Sequence, residues 1–263
     1  MRVGVLQFCP AHGEKEKNFE KVKNLVGNQK LDLLILPELF ATGYLFSSPE
    51  KLIGLAERFG SDKTSLFLFA LARGISGCVY GGFAELDNGV LYNSAGFFTP
   101  EGSAHLYRKL HLFDREKLIY APGNLGAVVV EYRGVRYGLA ICFDWFFPEY
   151  FRTLALMGAE VICHAANLIM PYYQKAAPIR SLENSVFILT ANRTGCERDG
   201  TLELTFTGES IITDPRGALL AKADKSSETL LVVDIDPPLA RNKNLTPYNN
   251  IFNDRRNDAY RLI

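Results

Sequence analysis

Short apolar runs separated by amphipathic stretches recur along this chain, and their spacing predicts an α/β fold. Val3–Phe8 is the first run and reads as a buried strand. Over Glu14–Asn28, Phe19, Val22, Leu25 and Val26 share one helical face and Lys, Glu and Asn the other. Leu31–Leu36 is a second apolar run, closed by Pro37. Strand, helix and strand in that order form a βαβ unit, whose strands are parallel. Pro49–Gly74 reads as helix in two pieces broken near Gly60–Ser61. Cys78–Glu85 and Asn93–Thr99 read as strands joined around the turn Asp87-Asn88-Gly89. Strands joined so are antiparallel, which makes the sheet mixed. Ala104–Tyr107 is a short strand leading into Arg108–Phe113.

The second half repeats the theme. Asp114–Asn124 lacks periodicity and reads as a loop or short helix. Ala127–Tyr132 and Arg136–Ile141 form a hairpin about Arg133-Gly134, and a helix follows Cys142 to about Met157. Val161–Ala166 is a strand with Asn167 at its end, Tyr172–Asn184 a helix, Val186–Ala191 a strand and Asn192–Gly200 a polar loop. Glu209–Asp214 and Leu230–Ile235 read as strands around the turn Asp214-Pro215-Arg216-Gly217, and Pro237 starts a short helix. No linker or internal repeat divides the chain, so 1–263 reads as one domain. In its tail, 248–263, Phe252, Tyr260, Leu262 and Ile263 suit docking on a partner subunit.

Charge narrows the function classes. The 29 basic and 29 acidic residues cancel, so nothing electrostatic favours nucleic acid or an anionic membrane. No apolar run approaches the roughly 18 residues of a membrane span. The five cysteines, Cys9, Cys78, Cys142, Cys163 and Cys196, are odd in number and scattered without CxxC. That pattern fits reduced thiols in the cytoplasm. The four histidines show no metal-ligand spacing, so neither a metal nor another cofactor is expected.

Candidate chemistry gathers where strands end. In Tyr137–Glu149, YGLAICFDWFFPE, an apolar run leads to Cys142, and Pro148-Glu149 suits the first turn of a helix. A thiol facing a helix N-terminus gains thiolate character, and the next residue, Phe143, can offer its backbone N–H to an oxyanion. The same stretch also fits a buried core cysteine. Glu38 follows the second strand, and Lys109 follows the strand ending at Tyr107. Ligand sites of α/β sheets lie at such carboxyl ends. A nucleophilic thiol needs a base, which a carboxylate can be, and its oxyanion needs an ammonium or N–H donors.

Three segments then carry a resemblance. PELFATGY, YRKLHLF and ICFDWFFPE resemble, in order, the three signatures of the nitrilase (carbon–nitrogen hydrolase) superfamily. GGFAE, LYNSAGFFTPEG, APGN and RSLENSVFILTANRTG are smaller echoes, and the set spans Val3 to about Asp236. The resemblance implies a Glu38–Lys109–Cys142 triad with a second glutamate, Glu116. It implies an αββα four-layer sandwich of two mixed sheets, dimerising through helices. It also implies hydrolysis of a non-peptide C–N bond through a thioester, with no metal. Tyr44, six residues past Glu38, lines the pocket in this reading, and Asn167 belongs to the substrate-binding set. His111 reads as support for its loop, and Asp144 as a bond to backbone at the turn.

One departure bears on substrate. Many amidases of the superfamily carry CYDLRFPE-like sequences, but here CFDWFFPE puts Phe146 in place of the arginine. Phe146 cannot clamp a substrate carboxylate as a guanidinium does. The expectation is therefore a small neutral carboxamide, with nitrile hydrolysis second and N-carbamoyl amide hydrolysis third. A Cys–His protease of another fold is excluded at Cys163-His164, because adjacent strand residues face opposite ways. A non-catalytic binding protein on the same fold is the remaining rival.

Overall fold

Each apolar run serves two layers at once. The computed structural model describes residues 1–260. It opens with β1 (Arg2–Gln7), α1 (Lys15–Val26) and β2 (Leu33–Ile35), the expected βαβ unit. On β2, Leu33 and Ile35 enter the core between two sheets, while Leu34 and the following Leu36 pack into a second core under the helices. A period of two in the strand thus fills both faces with apolar side chains, as a sheet covered on both sides requires.

The first sheet continues past α2 (Pro49–Ile53) and α3 (Lys63–Ile75) into β3 (Cys78–Asp87), β4 (Val90–Phe98) and β5 (Ala104–Arg108). The second holds β6 (Val129–Tyr132), β7 (Val135–Ile141), α4 (Pro148–Leu156), β8 (Val161–Ala166), α5 (Tyr173–Asn184) and β9 (Phe187–Asn192). A ribbon of β10 (Cys196–Asp199) and β11 (Leu202–Thr205) precedes β12 (Ile211–Thr213), β13 (Leu219–Lys222) and β14 (Thr229–Asp234).

The six-stranded sheets run β14-β1-β2-β3-β4-β5 and β6-β7-β8-β9-β12-β13. In that order both show one sequence of pairings: antiparallel, parallel, parallel, antiparallel, antiparallel. Both sheets are therefore mixed, face to face, with α1 and α3 outside the first and α4 and α5 outside the second. The αββα sandwich expected from sequence is the observed fold.

Four local readings change. The helical stretch after Pro49 is interrupted over 54–62, wider than a break at Gly60–Ser61, where Glu57 instead bridges to Glu85 of β3. The Asp214–Gly217 turn joins β12 to β13, and β14 crosses to the other sheet beside β1. The exposed LLAK of β13 has no alternation to reveal it. The polar loop Asn192–Gly200 contains β10. A small hairpin without a sequence signal, β15 (Asn244–Thr246) with β16 (Asn249–Asn250), leads into the tail. Phe252 packs against its own chain, under Arg152 and Lys243, and Tyr260 is half exposed. Leu262 and Ile263 lie outside the described residues.

Candidate active site

Glu38 leaves the end of β2 in a sharp turn with Leu39 at φ +48°. The Phe40 N–H donates to the Gly82 carbonyl at 3.2 Å, closing the turn onto β3. A Cβ on Gly82 would sit 2.7 Å from Glu38 Cα and 2.7 Å from Leu39 N, both backbone atoms that cannot swing aside. This close approach gives the GGFAE segment its reason. Gly82→Ala is therefore expected to destabilise by about 1–3 kcal/mol, the usual range for overpacking. It should also displace Glu38, lowering kcat far more than a similarly destabilising change elsewhere. Urea unfolding and turnover measured on one sample check both effects.

Lys109 follows β5. Its N–H donates to the Asn93 carbonyl and its own carbonyl accepts the Gly123 N–H, each at 2.8 Å. Gly123, from the APGN segment, lies so close that a Cβ there would strike the Arg108 and Lys109 carbonyls. The Lys109 ammonium is fully buried. It donates to Glu38 Oε1 at 2.7 Å and to Glu116 Oε1 at 2.6 Å. Asn93 Nδ2 adds a bond to Glu38 Oε1 at 2.7 Å. Glu116 comes from a 3₁₀ turn, Asp114–Leu118, where its Oε2 accepts the Phe113 N–H at 3.0 Å. Among the described residues Glu38 Oε2, which is buried, has no hydrogen-bond partner.

Cys142 sits where β7 passes into a 3₁₀ turn, Cys142–Phe146, with α4 starting only at Pro148. Its φ is +39°, a left-handed conformation unusual for a residue with a side chain. Asp144 holds this corner. Its carboxylate accepts the Ile141 N–H at 2.9 Å, the Tyr107 hydroxyl at 2.7 Å and the His111 N–H at 3.2 Å. His111 Nδ1 lies 2.7 Å from the same carboxylate, and its ring stacks on Phe147. Residues on both sides of Lys109 are thus tied to the turn that carries Cys142.

Charges around the thiol interact strongly. Burial pushes the Cys142 thiol up, and Glu38 and Glu116 push the same way, against Lys109 and the Asn167 backbone. Burial likewise raises Glu38, to about 7, with Lys109 opposing and Glu116 reinforcing. Lys109 keeps its proton well above its ordinary range, because the two carboxylates and the thiol outweigh its burial.

Cys142 opens into a pocket lined by Phe113, Phe143, Trp145, Phe146, Leu168 and Tyr172. Phe146 is half exposed at its mouth. Asn167 also lines it, with Nδ2 donating to the Glu38 carbonyl at 2.9 Å and Oδ1 without a partner among the described residues. Tyr44 lines an adjoining pocket with Phe46, Glu116 and Tyr120, and the two pockets share Phe113 and Ile169. All eight candidate residues, Glu38, Lys109, Cys142, Glu116, Phe143, Tyr44, Phe146 and Asn167, therefore come from separate parts of the chain to this end of the sandwich.

Other contributors escaped the sequence reading. Glu197, in the former polar loop, accepts the Tyr44 and Leu45 N–H groups at 2.8 and 2.7 Å and is paired to the fully buried Arg193 at 2.8 Å. The ribbon thus fixes the loop that carries Tyr44. Asn93 and Tyr120 reach the cluster from segments read only as a strand and a loop. The one available signal was polar residues at strand ends, which does not distinguish a buried ion pair from a solvated one.

A family model described as carbon–nitrogen hydrolase matches residues 2–244. A Pyrococcus abyssi protein named nitrilase is 44% identical, covering 99% of this chain and 99% of its own. An (R)-stereoselective amidase of Pseudomonas sp. is 34% identical over 90% of this chain and 85% of its own. The crystal structure of a carbon–nitrogen hydrolase from Helicobacter pylori G27 superimposes with a TM-score of 0.89 at 29% identity, covering 99% of this chain and 96% of that one.

Proposed function

This chain belongs to the carbon–nitrogen hydrolase family, and from that premise we propose that it cleaves a small neutral carboxamide to a carboxylic acid and ammonia through a thioester on Cys142. The observation that carries this reading is Glu38 Oε2, unpartnered among the described residues and on a carboxylate paired to a buried ammonium, with the Cys142 thiol opening into a pocket. Glu38 takes the thiol proton as sulfur attacks the carbonyl carbon. The Lys109 ammonium and the Phe143 N–H hold the oxyanion, in a site dry enough to strengthen both. As the C–N bond breaks, Glu38 returns its proton to the departing nitrogen and ammonia leaves. Glu38 then takes a proton from water, whose oxygen attacks the thioester, and the acid departs as the thiol is reprotonated. Glu116 orients Lys109.

Ammonia release from a panel of amides, with intact-mass measurement of enzyme quenched in turnover, tests this reading. An acyl adduct mapped to Cys142 is the expected result, and turnover without one overturns it. Among the described residues the lining of the Cys142 pocket carries no positive charge, Arg115 lining only the adjoining pocket. Neutral aliphatic and aromatic amides are therefore expected to exceed anionic α-keto acid amides in kcat/KM by about tenfold or more, the worth of a missing charge-assisted pair. Faster turnover of the anionic set counts against this preference. Nitrile hydrolysis is the second reading, favoured by the 44% identical relative named nitrilase; matched nitrile–amide pairs, with N-carbamoyl amides added, decide between them.

The raised carboxyl of Glu38 sets a pH dependence. The base must be ionised to accept a proton, and burial holds it protonated below about 7. Log kcat/KM should climb with pH below about 7 and level above it, the apparent value belonging to the Glu38–Lys109–Glu116 cluster. Glu116→Gln removes a negative charge that raises Glu38, so the limb should move to lower pH. A profile that stays in place or moves up contradicts the assignment.

The exposed apolar side chains Leu156 on α4 and Ile179 and Leu182 on α5 support a homodimer through these helices. The five free thiols support a reducing, cytoplasmic setting.

A further inference from the structure

Beneath the nucleophile lies a buried polar chain that the mechanism above does not use. His164, on β8, is fully buried, with Phe151 edge-on to its ring. Its Nε2 lies 2.9 Å from the Cys142 carbonyl oxygen. Its Nδ1 lies 3.1 Å from the Tyr173 hydroxyl and 3.1 Å from the Thr190 hydroxyl, which are 2.5 Å from each other. A carbonyl oxygen only accepts, so Nε2 carries the proton. Nδ1 is then an acceptor, served by one of the two hydroxyls. Burial lowers His164 to about 4, so the ring stays neutral at ordinary pH.

The bond reaches the chemistry through one rigid plane. The Cys142 carbonyl and the Phe143 N–H belong to the same peptide unit, where they point in opposite directions. Whatever holds the carbonyl also aims the N–H. The Phe143 amide lies in the first turn of its 3₁₀ helix, where no intrahelical acceptor exists. The positive φ of Cys142 leaves this plane in a sparsely populated orientation that needs external support. We propose that His164 is a positioning residue which, through its hydrogen bond to the Cys142 carbonyl, aims the Phe143 N–H at the oxyanion formed on Cys142. The inference rests on the thioester reading above.

The test compares His164→Leu, which removes the donor, with His164→Gln, whose amide nitrogen sits as many bonds from the backbone as Nε2. Three quantities are read: kcat and KM, the inhibition constant of an aldehyde matching the best amide, and the iodoacetamide alkylation rate of Cys142 by peptide mapping. The aldehyde adduct places an oxyanion where the N–H points, whereas alkylation needs only the thiol. His164→Leu should lose about 10- to 100-fold in kcat, less than outright removal of an oxyanion donor. KM should stay within about threefold, aldehyde affinity should fall in step with kcat, and alkylation should stay within about threefold. His164→Gln should recover most of the loss.

Unchanged aldehyde affinity in His164→Leu overturns the inference, as does a parallel collapse of alkylation, which marks a merely structural role. Should His164→Leu not fold, Thr190→Val with Tyr173→Phe strips Nδ1 of its donors and frees the proton to move there. A loss of about threefold or more in kcat and aldehyde affinity, with alkylation kept, then supports the inference, and no loss overturns it. Failure of the thioester reading shows separately, in the wild type, as no reversible aldehyde adduct, and it removes this inference too.

Discussion

Lys109→Met is expected to lower folding stability by about 3–5 kcal/mol and to lower turnover by about a thousandfold or more. The two losses have one origin. The ammonium sits fully buried between Glu38 and Glu116, at 2.7 and 2.6 Å. Without it, two carboxylates face each other out of reach of water, and one or both must take up a proton. The triple variant Lys109→Met/Glu38→Gln/Glu116→Gln removes the unpaired charges and should regain most of the stability, since a buried ion cluster replaced whole is often close to neutral. It should regain no activity. Urea unfolding and ammonia release on the single and triple variants separate the two roles. A single variant as stable as wild type shows that the cluster does not depend on the lysine.

Cys142→Ala is expected to reduce turnover by about 10⁴-fold or more, the scale seen when a covalent nucleophile is removed. The acyl adduct should vanish from quenched samples. Stability should change by no more than about 1.5 kcal/mol, because the change removes one sulfur and leaves the strained backbone as it was. The control matters because four other thiols are present. Cys78 and Cys163 are buried, and burial pushes the first to about 12 and the second up as well. Cys196 is exposed and will compete for alkylating reagents. Labelling must therefore be mapped by peptide, and activity surviving Cys142→Ala rejects the assignment.

The strands of the parallel pairs are legible because their runs are apolar on both faces, and the βαβ order marks the first of those pairs. The Leu33–Ile35 stretch reads as a strand by composition alone, and its alternation between two cores needs no further information. β13 was not legible: LLAK lies at an edge, mostly exposed, and its pairing with β12 comes from the turn geometry rather than from its own pattern. The β10–β11 ribbon was missed for a related reason. Charged side chains mark it as solvated, yet Arg193 and Glu197 are buried against each other. Sequence alone offers His164 only as a metal ligand or half of a Cys–His pair, because nothing local reveals that its ring meets a backbone carbonyl 22 residues away.

By itself the sequence determined the order of the apolar strands and the helices between them, the resemblance to one family and the few polar residues placed at strand ends. Those are local properties, carried by hydrophobic period and by short motifs. The tertiary structure alone decided that one ammonium serves two carboxylates, that Glu38 keeps one oxygen without a partner among the described residues, and that aromatic side chains wall the thiol's pocket. Those outcomes depend on contacts between residues as far apart as Glu38 and Lys109, 71 positions along the chain. Their energetics depend on exclusion of water, which arises only when both sheets and their covering loops are assembled.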